Sequence, residues 1–134
     1  MTIRRKLVIA VLTGILFLFI VSIFYTFYII RRDVYKTCRQ AKVLSGKNCV
    51  QSLIALIRSD TNSYRSRNTA IWALGQLADK NALPFLYELY QSLPEQKKCP
   101  YDQFICKYEV QKAIKWCERG NITSWMYKNI DFSQ

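Results

Sequence analysis

Apolar positions follow two regimes along the chain. Residues 7–30 carry no charge and are mostly large and apolar, with no polar face at any helical period. At about 1.5 Å per residue such a stretch makes a helix of roughly 36 Å, enough to cross a hydrocarbon layer of about 30 Å with some tilt. After Cys49 the pattern breaks into short amphipathic runs. Val50, Leu53, Ile54 and Ile57 recur at helical spacing and predict a helix over Cys49–Arg58. The polar residues 59–63 are rich in capping side chains and precede a second helix over about 64–78, with Ala70, Ile71, Leu74 and Leu77 on its inner stripe.

A third helix is predicted over about 82–93, with Asn81 as its N-cap and Pro84 in its first turn. A loop bounded by Pro94 and Pro100 follows. Asp102 can then cap a fourth helix over about 103–119, which Gly120 ends, and residues 123–130 add a last turn. The expected fold is all-α: one N-terminal transmembrane helix followed by about two antiparallel helical hairpins. The domain plan is a basic tail 1–6, a transmembrane helix 7–30, a basic flanking segment 31–48, a helical domain 49–120 and a capping segment 121–134.

Two other readings of 7–30 fit less well than an anchor, namely a cleavable signal peptide and a buried core helix. A signal peptide has a shorter apolar region and a small-x-small cleavage site, and the chain reads Tyr28-Ile29-Ile30-Arg31-Arg32 there. Phe24, Tyr25, Phe27 and Tyr28 also crowd the end of the stretch, where amphipathic rings favour headgroup depth.

The net charge of +11 over 134 residues suggests nucleic acid until it is located. Most of the excess flanks the apolar stretch, on Arg4, Arg5 and Lys6 before it and on Arg31, Arg32, Lys36 and Arg39 just after it. Each such cation near an anionic leaflet contributes on the order of 1 kcal/mol, so these side chains are candidate headgroup contacts and nucleic acid is not an expected partner. Because both flanks are basic, charge leaves orientation open.

The five cysteines all follow the apolar stretch. That density suits an oxidising compartment. Turn-like sequences lie between Cys38 and Cys49 and between Cys99 and Cys106, so these two short-range pairs are the favoured bridges, with Cys117 free. Buried thiols are the competing reading. Cys106, Val110, Ala113 and Cys117 fall on one helical face. Zinc fits worst, because structural sites use two close cysteine pairs.

With no histidine in the chain, Ser-His-Asp and Cys-His nucleophile pairs and histidine-held metals are excluded. Glycine-rich phosphate loops are absent too. No cofactor, no small-molecule substrate and no catalysis are expected. Rings of the kind enriched at interfaces are plentiful: Trp72, Tyr87, Tyr90, Tyr101, Trp116, Trp125 and Tyr127 are the candidates for contact with other protein subunits. Asn121-Ile122-Thr123 matches the N-glycosylation pattern and is left unassigned.

The pair Ala70-Ile71 is echoed 43 residues later by Ala113-Ile114, a period typical of stacked helical hairpins. Residues 70–79, reading Ala-Ile-Trp-Ala-Leu-Gly-Gln-Leu-Ala-Asp, with Ala82-Leu83-Pro84 after them, resemble HEAT-repeat proteins of the short bacterial kind related to bilin-lyase HEAT-like repeats. Residues 108–114 look like the start of the next repeat's second helix. The resemblance covers about 49–120 and departs from the pattern at Ala78, where glycine is usual, and in the cysteine-bearing loop. It implies a short solenoid that offers surface to partners. The family's iron-dependent hydroxylases rely on His-Glu ligands that this chain lacks, and bilin lyases are longer.

The sequence therefore predicts a single-pass membrane protein whose helical domain docks onto other proteins, as a small non-catalytic subunit or adaptor, outside the cytoplasm. The competing readings are the same module facing the cytoplasm at anionic lipid, and a redox protein using Cys99 or Cys106.

Overall fold

The structure, a computed structural model, describes residues 2–46, 48–96, 98–128 and 130. The last four positions of the predicted capping segment lie outside the described residues, as do Met1 of the basic tail and Lys47 of the basic flank. Among the described residues five α-helices follow in order: α1 Ile3–Ser45, α2 Cys49–Arg58, α3 Tyr64–Leu77, α4 Leu83–Ser92 and α5 Lys107–Arg119. Short 3-10 turns occupy Lys80–Ala82 and Ser124–Met126, and no strand occurs among the described residues. The chain forms two compact units, divided between Arg32 and Asp33.

The first unit is the early part of α1. It holds one helix long and apolar enough to cross a membrane, and none of its most apolar window is buried. Both threonine hydroxyls of its apolar stretch are satisfied within the helix: Thr13 donates to the Ile9 carbonyl at 2.8 Å and Thr26 to the Ser22 carbonyl at 2.9 Å. That arrangement suits a hydrocarbon solvent, where an unpaired hydroxyl is costly.

The second unit is all-helical. Its first element is the rest of α1, where Val34, Thr37, Cys38 and Ala41 are buried at spacings of a single helical face. The basic flank 31–48 is thus largely helix, and its apolar side belongs to the core. That stripe is hard to read beforehand because Lys36, Arg39 and Lys42 are interleaved with it.

Leu53, Ile57, Ile71, Leu74 and Leu86 are the largest fully buried apolar side chains. Each contributes about 1.5 to 3 kcal/mol through removal from water. Helix α3 lies at the centre, against both α2 and α5, and α4 packs on α5. At Gly75 the approach of α5 is so close that an added Cβ would stand 2.8 Å from Trp116 Cε3 and 3.0 Å from the Ala113 Cα.

Helices α2 and α3 start on local caps. Asn48 Oδ1 accepts from the Gln51 N–H at 2.9 Å, and Ser63 Oγ accepts from the Ser66 N–H at 3.2 Å. Two expected caps are corrected. The turn after α3 is capped by Asp79, which accepts from the Asn81 N–H, so Asn81 is the recipient of a cap. Helix α5 begins at Lys107, and Asp102 instead forms a two-pronged ion pair with Arg65. Gly120 ends α5 at φ 80°, as predicted. Ala78 ends α3 in the left-handed region at φ 51°.

Candidate functional site

The loop before α5 is organised by a side chain from α3. Asn68 is fully buried, and its amide donates to the Tyr101 carbonyl at 3.0 Å and to the Phe104 carbonyl at 2.9 Å. Its oxygen accepts from the Cys106 N–H at 2.9 Å, while Gln96 Oε1 accepts from the Lys107 N–H at 2.9 Å. Two N–H groups at the start of α5, those of Cys106 and Lys107, are therefore satisfied by side chains from elsewhere in the fold. Asn68 and Gln96 escaped the sequence analysis. The available signal was an asparagine inside a helix, where its side chain competes with the backbone.

This loop sets the position of Tyr101, which joins Trp72 and Thr69 of α3 and Asp33, Lys36, Thr37 and Gln40 of α1 around a cleft of about 490 Å³. The size is within the range of ligand-binding clefts. Two rings supply apolar wall, and the α1 residues supply an amide, a hydroxyl, a carboxylate and an ammonium. Burial raises the Tyr101 phenol well above its ordinary range, and the Glu109 carboxylate raises it further. Glu109 is only 6% exposed, and one of its oxygens accepts from Lys112 Nζ at 2.9 Å. Rings and hydrogen-bonding groups thus line the cleft together.

The other predicted residues are distributed as follows. Cys38 and Cys49 lie at disulfide distance, Cα to Cα 5.2 Å, and so do Cys99 and Cys106 at 5.3 Å. Cys117 is a buried free thiol on α5. Burial pushes its pKa up to about 12, with Asp79 and Glu118 adding to the effect. A thiol held neutral in this way is a weak nucleophile. Among the described residues no three histidine, cysteine or carboxylate side chains cluster as a metal would require.

Arg4, Arg5, Lys6, Arg31, Arg32, Lys36 and Arg39 are all exposed along α1. Of the rings, Trp72 and Tyr101 are brought together in the cleft. Trp116 packs over Gly75, with Lys112 Nζ 5.1 Å from its ring centre. Tyr90 is half-buried beneath Lys107 Nζ at 4.8 Å. Tyr87 is exposed, and its hydroxyl donates to the Glu118 carboxylate. Trp125 is 63% exposed. Tyr127 is a correction: at 6% exposure it is part of the core. The turn before it faces the ring inward, and spacing along a non-helical segment could not reveal that. Comparison with known proteins finds no matching protein family, no matching characterised protein and no matching solved structure.

Proposed function

We propose that this chain is a single-pass membrane protein whose helical domain, outside the cytoplasm, docks onto other proteins as a small non-catalytic subunit or adaptor. The observation that carries the reading is α1. The same helix contains a charge-free stretch whose most apolar window has no buried residue and, farther on, a buried face in the core of the second unit. The anchor and the domain thus share an element. Docking is supported by the Trp72 and Tyr101 walls of an open, mostly non-ionic cleft, since half-exposed aromatic side chains supply much of the energy at protein interfaces.

Placement outside the cytoplasm is supported by the two cysteine pairs at disulfide distance, because such bonds persist in oxidising compartments. The HEAT-like reading of the helices stays within this proposal and rests on the sequence motif at 70–84 and its echo at 113–114.

Two measurements test it. Thiol labelling of intact cells with a membrane-impermeant maleimide should detect Cys38, Cys49, Cys99 and Cys106 only after reduction. Labelling only after lysis, with no effect of reductant on denatured samples, overturns the exported placement. A photo-crosslinking residue in place of Thr69, in the full chain in its own membrane, should join it to protein. Crosslinks to lipid alone, or none, overturn docking at the cleft.

A further inference from the structure

The Asn121-Ile122-Thr123 motif has a structural use. Asn121 Nδ2 donates to the Gly75 carbonyl at the end of α3, at 3.0 Å, and its Oδ1 accepts from the Thr123 N–H at 2.8 Å. The Thr123 hydroxyl donates to the side-chain oxygen of Gln76, and the Ser124 hydroxyl to the Asn121 carbonyl at 2.9 Å. Thr123 is 3% exposed. A glycan on Asn121 would cost the bond that holds the turn to α3.

A turn fixed by this many side-chain bonds presents its apolar residues outward. Ile122 is 79% exposed and Trp125 63% exposed. Beside them lies a depression of about 590 Å³, rimmed by Lys80, Arg119 and Lys128. The one carboxylate on that rim, Glu118, already accepts from the Tyr87 hydroxyl. Ile122 lines this cationic depression and Trp125 is exposed three residues on; large apolar side chains held on a fixed turn cost little entropy to bury, as interface anchors do.

We infer that residues 121–125 and this rim form a docking face for a partner protein's acidic segment, one carrying a large apolar side chain between its carboxylates. Charge complementarity selects the acidic partner, and Ile122 with Trp125 selects the apolar side chain. A lipid surface would offer the same negative charge, and crosslinking from position 122 separates it from a protein. The inference rests on the docking reading above and names the chemistry of the partner.

The test uses the full chain in detergent as bait for a phage-displayed library of random peptides. Enriched sequences should carry Asp or Glu flanking a large apolar residue. Their binding should weaken roughly tenfold to thirtyfold in Ile122→Ser, an exposed position whose change leaves the core intact. Binding should also weaken in Arg119→Glu and fall with added salt. No enrichment, or peptides indifferent to both variants, overturns the inference.

A photo-crosslinking residue at position 122 in the native membrane supplies the second arm. Crosslinks to an acidic stretch of protein support the inference, and crosslinks to lipid alone overturn it. Crosslinks to protein from position 69 but none from 122 sink this face and leave the docking reading standing. Silence from both positions sinks both.

Discussion

Helices α3 and α5 carry the two copies of the Ala-Ile pair, yet they start in opposite ways. Helix α3 is capped by the residue directly before it, Ser63. Helix α5 is capped by Asn68 and Gln96, which are 38 and 11 residues distant from the N–H groups they satisfy. The first helix can start on its local chain alone. The second requires α3 to be in place, so the loop bearing Tyr101 is a product of tertiary packing.

The difference predicts an asymmetry in stability. Asn68→Ala leaves one buried N–H and two partly buried carbonyls without this partner and should cost about 2 to 4 kcal/mol, against about 1 kcal/mol for Ser63→Ala. Urea unfolding of the two variants is the check. Equal losses would mean that α5 does not depend on its distant caps.

Breaking the second cysteine pair comes next. Cys99→Ser with Cys106→Ser should lower stability by about 2 to 3 kcal/mol through freedom returned to the unfolded loop. In a Cys38→Ser, Cys49→Ser background the same loss should follow reduction of the remaining pair. An unchanged midpoint in reductant would show that the Asn68 bonds alone hold the loop.

Gly75→Ala tests the contact between the two helices. Its new Cβ would press on Ala113 backbone and on the Trp116 ring, a crowding that should cost about 1 to 3 kcal/mol and alter Trp116 fluorescence. A neutral result would place the helices farther apart.

Ala78→Gly should act in the opposite direction. Ala78 holds a left-handed conformation at φ 51°, which an alanine adopts at a cost of about 1 kcal/mol and a glycine nearly without cost. A gain of up to about 1 kcal/mol is expected, read as a raised urea midpoint. A loss would show that the end of α3 is fixed by something other than backbone geometry.

The smallest effect is expected at the exposed Arg65–Asp102 pair. The hydrogen bond and charge of Arg65 hold the Asp102 carboxyl below its ordinary pKa of 3.8. A depressed folded-state value stabilises the fold above that ordinary pKa, and the contribution disappears as pH falls through the lowered value. Asp102→Asn should therefore slightly flatten the loss of stability between about pH 5 and about pH 2, and the difference should shrink in salt. An unchanged acid profile would remove this pair from the forces that position the loop.

Much of the fold could be read along the chain. The bounds of α2 coincide with its predicted span, and α3 ends one residue before Ala78. Both succeed because apolar spacing and adjacent caps are local signals. The cysteine pairing was legible for the same reason, since each pair spans a short turn. The start of α5 was not, because Asp102 has the composition of a cap and is drawn away by Arg65. The inward face of 33–45 was also hidden, because the stripe of Val34, Thr37, Cys38 and Ala41 runs between lysines and arginines. Of the candidate site, the rings Trp72 and Tyr101 could be named beforehand but their meeting could not.

Sequence alone determined the charge-free stretch 7–30, the all-helical character of the rest and the buried stripe of Val110, Ala113 and Cys117 on α5, because each follows from composition or periodicity within a few turns; Cys106, read onto the same face, precedes the helix in extended backbone. Tertiary structure decided which polar side chains cap α5, which rings stay exposed and how residues 121–124 close onto α3. Those outcomes depend on hydrogen-bonding groups tens of residues apart meeting only after the helices have packed, and no local pattern encodes that meeting.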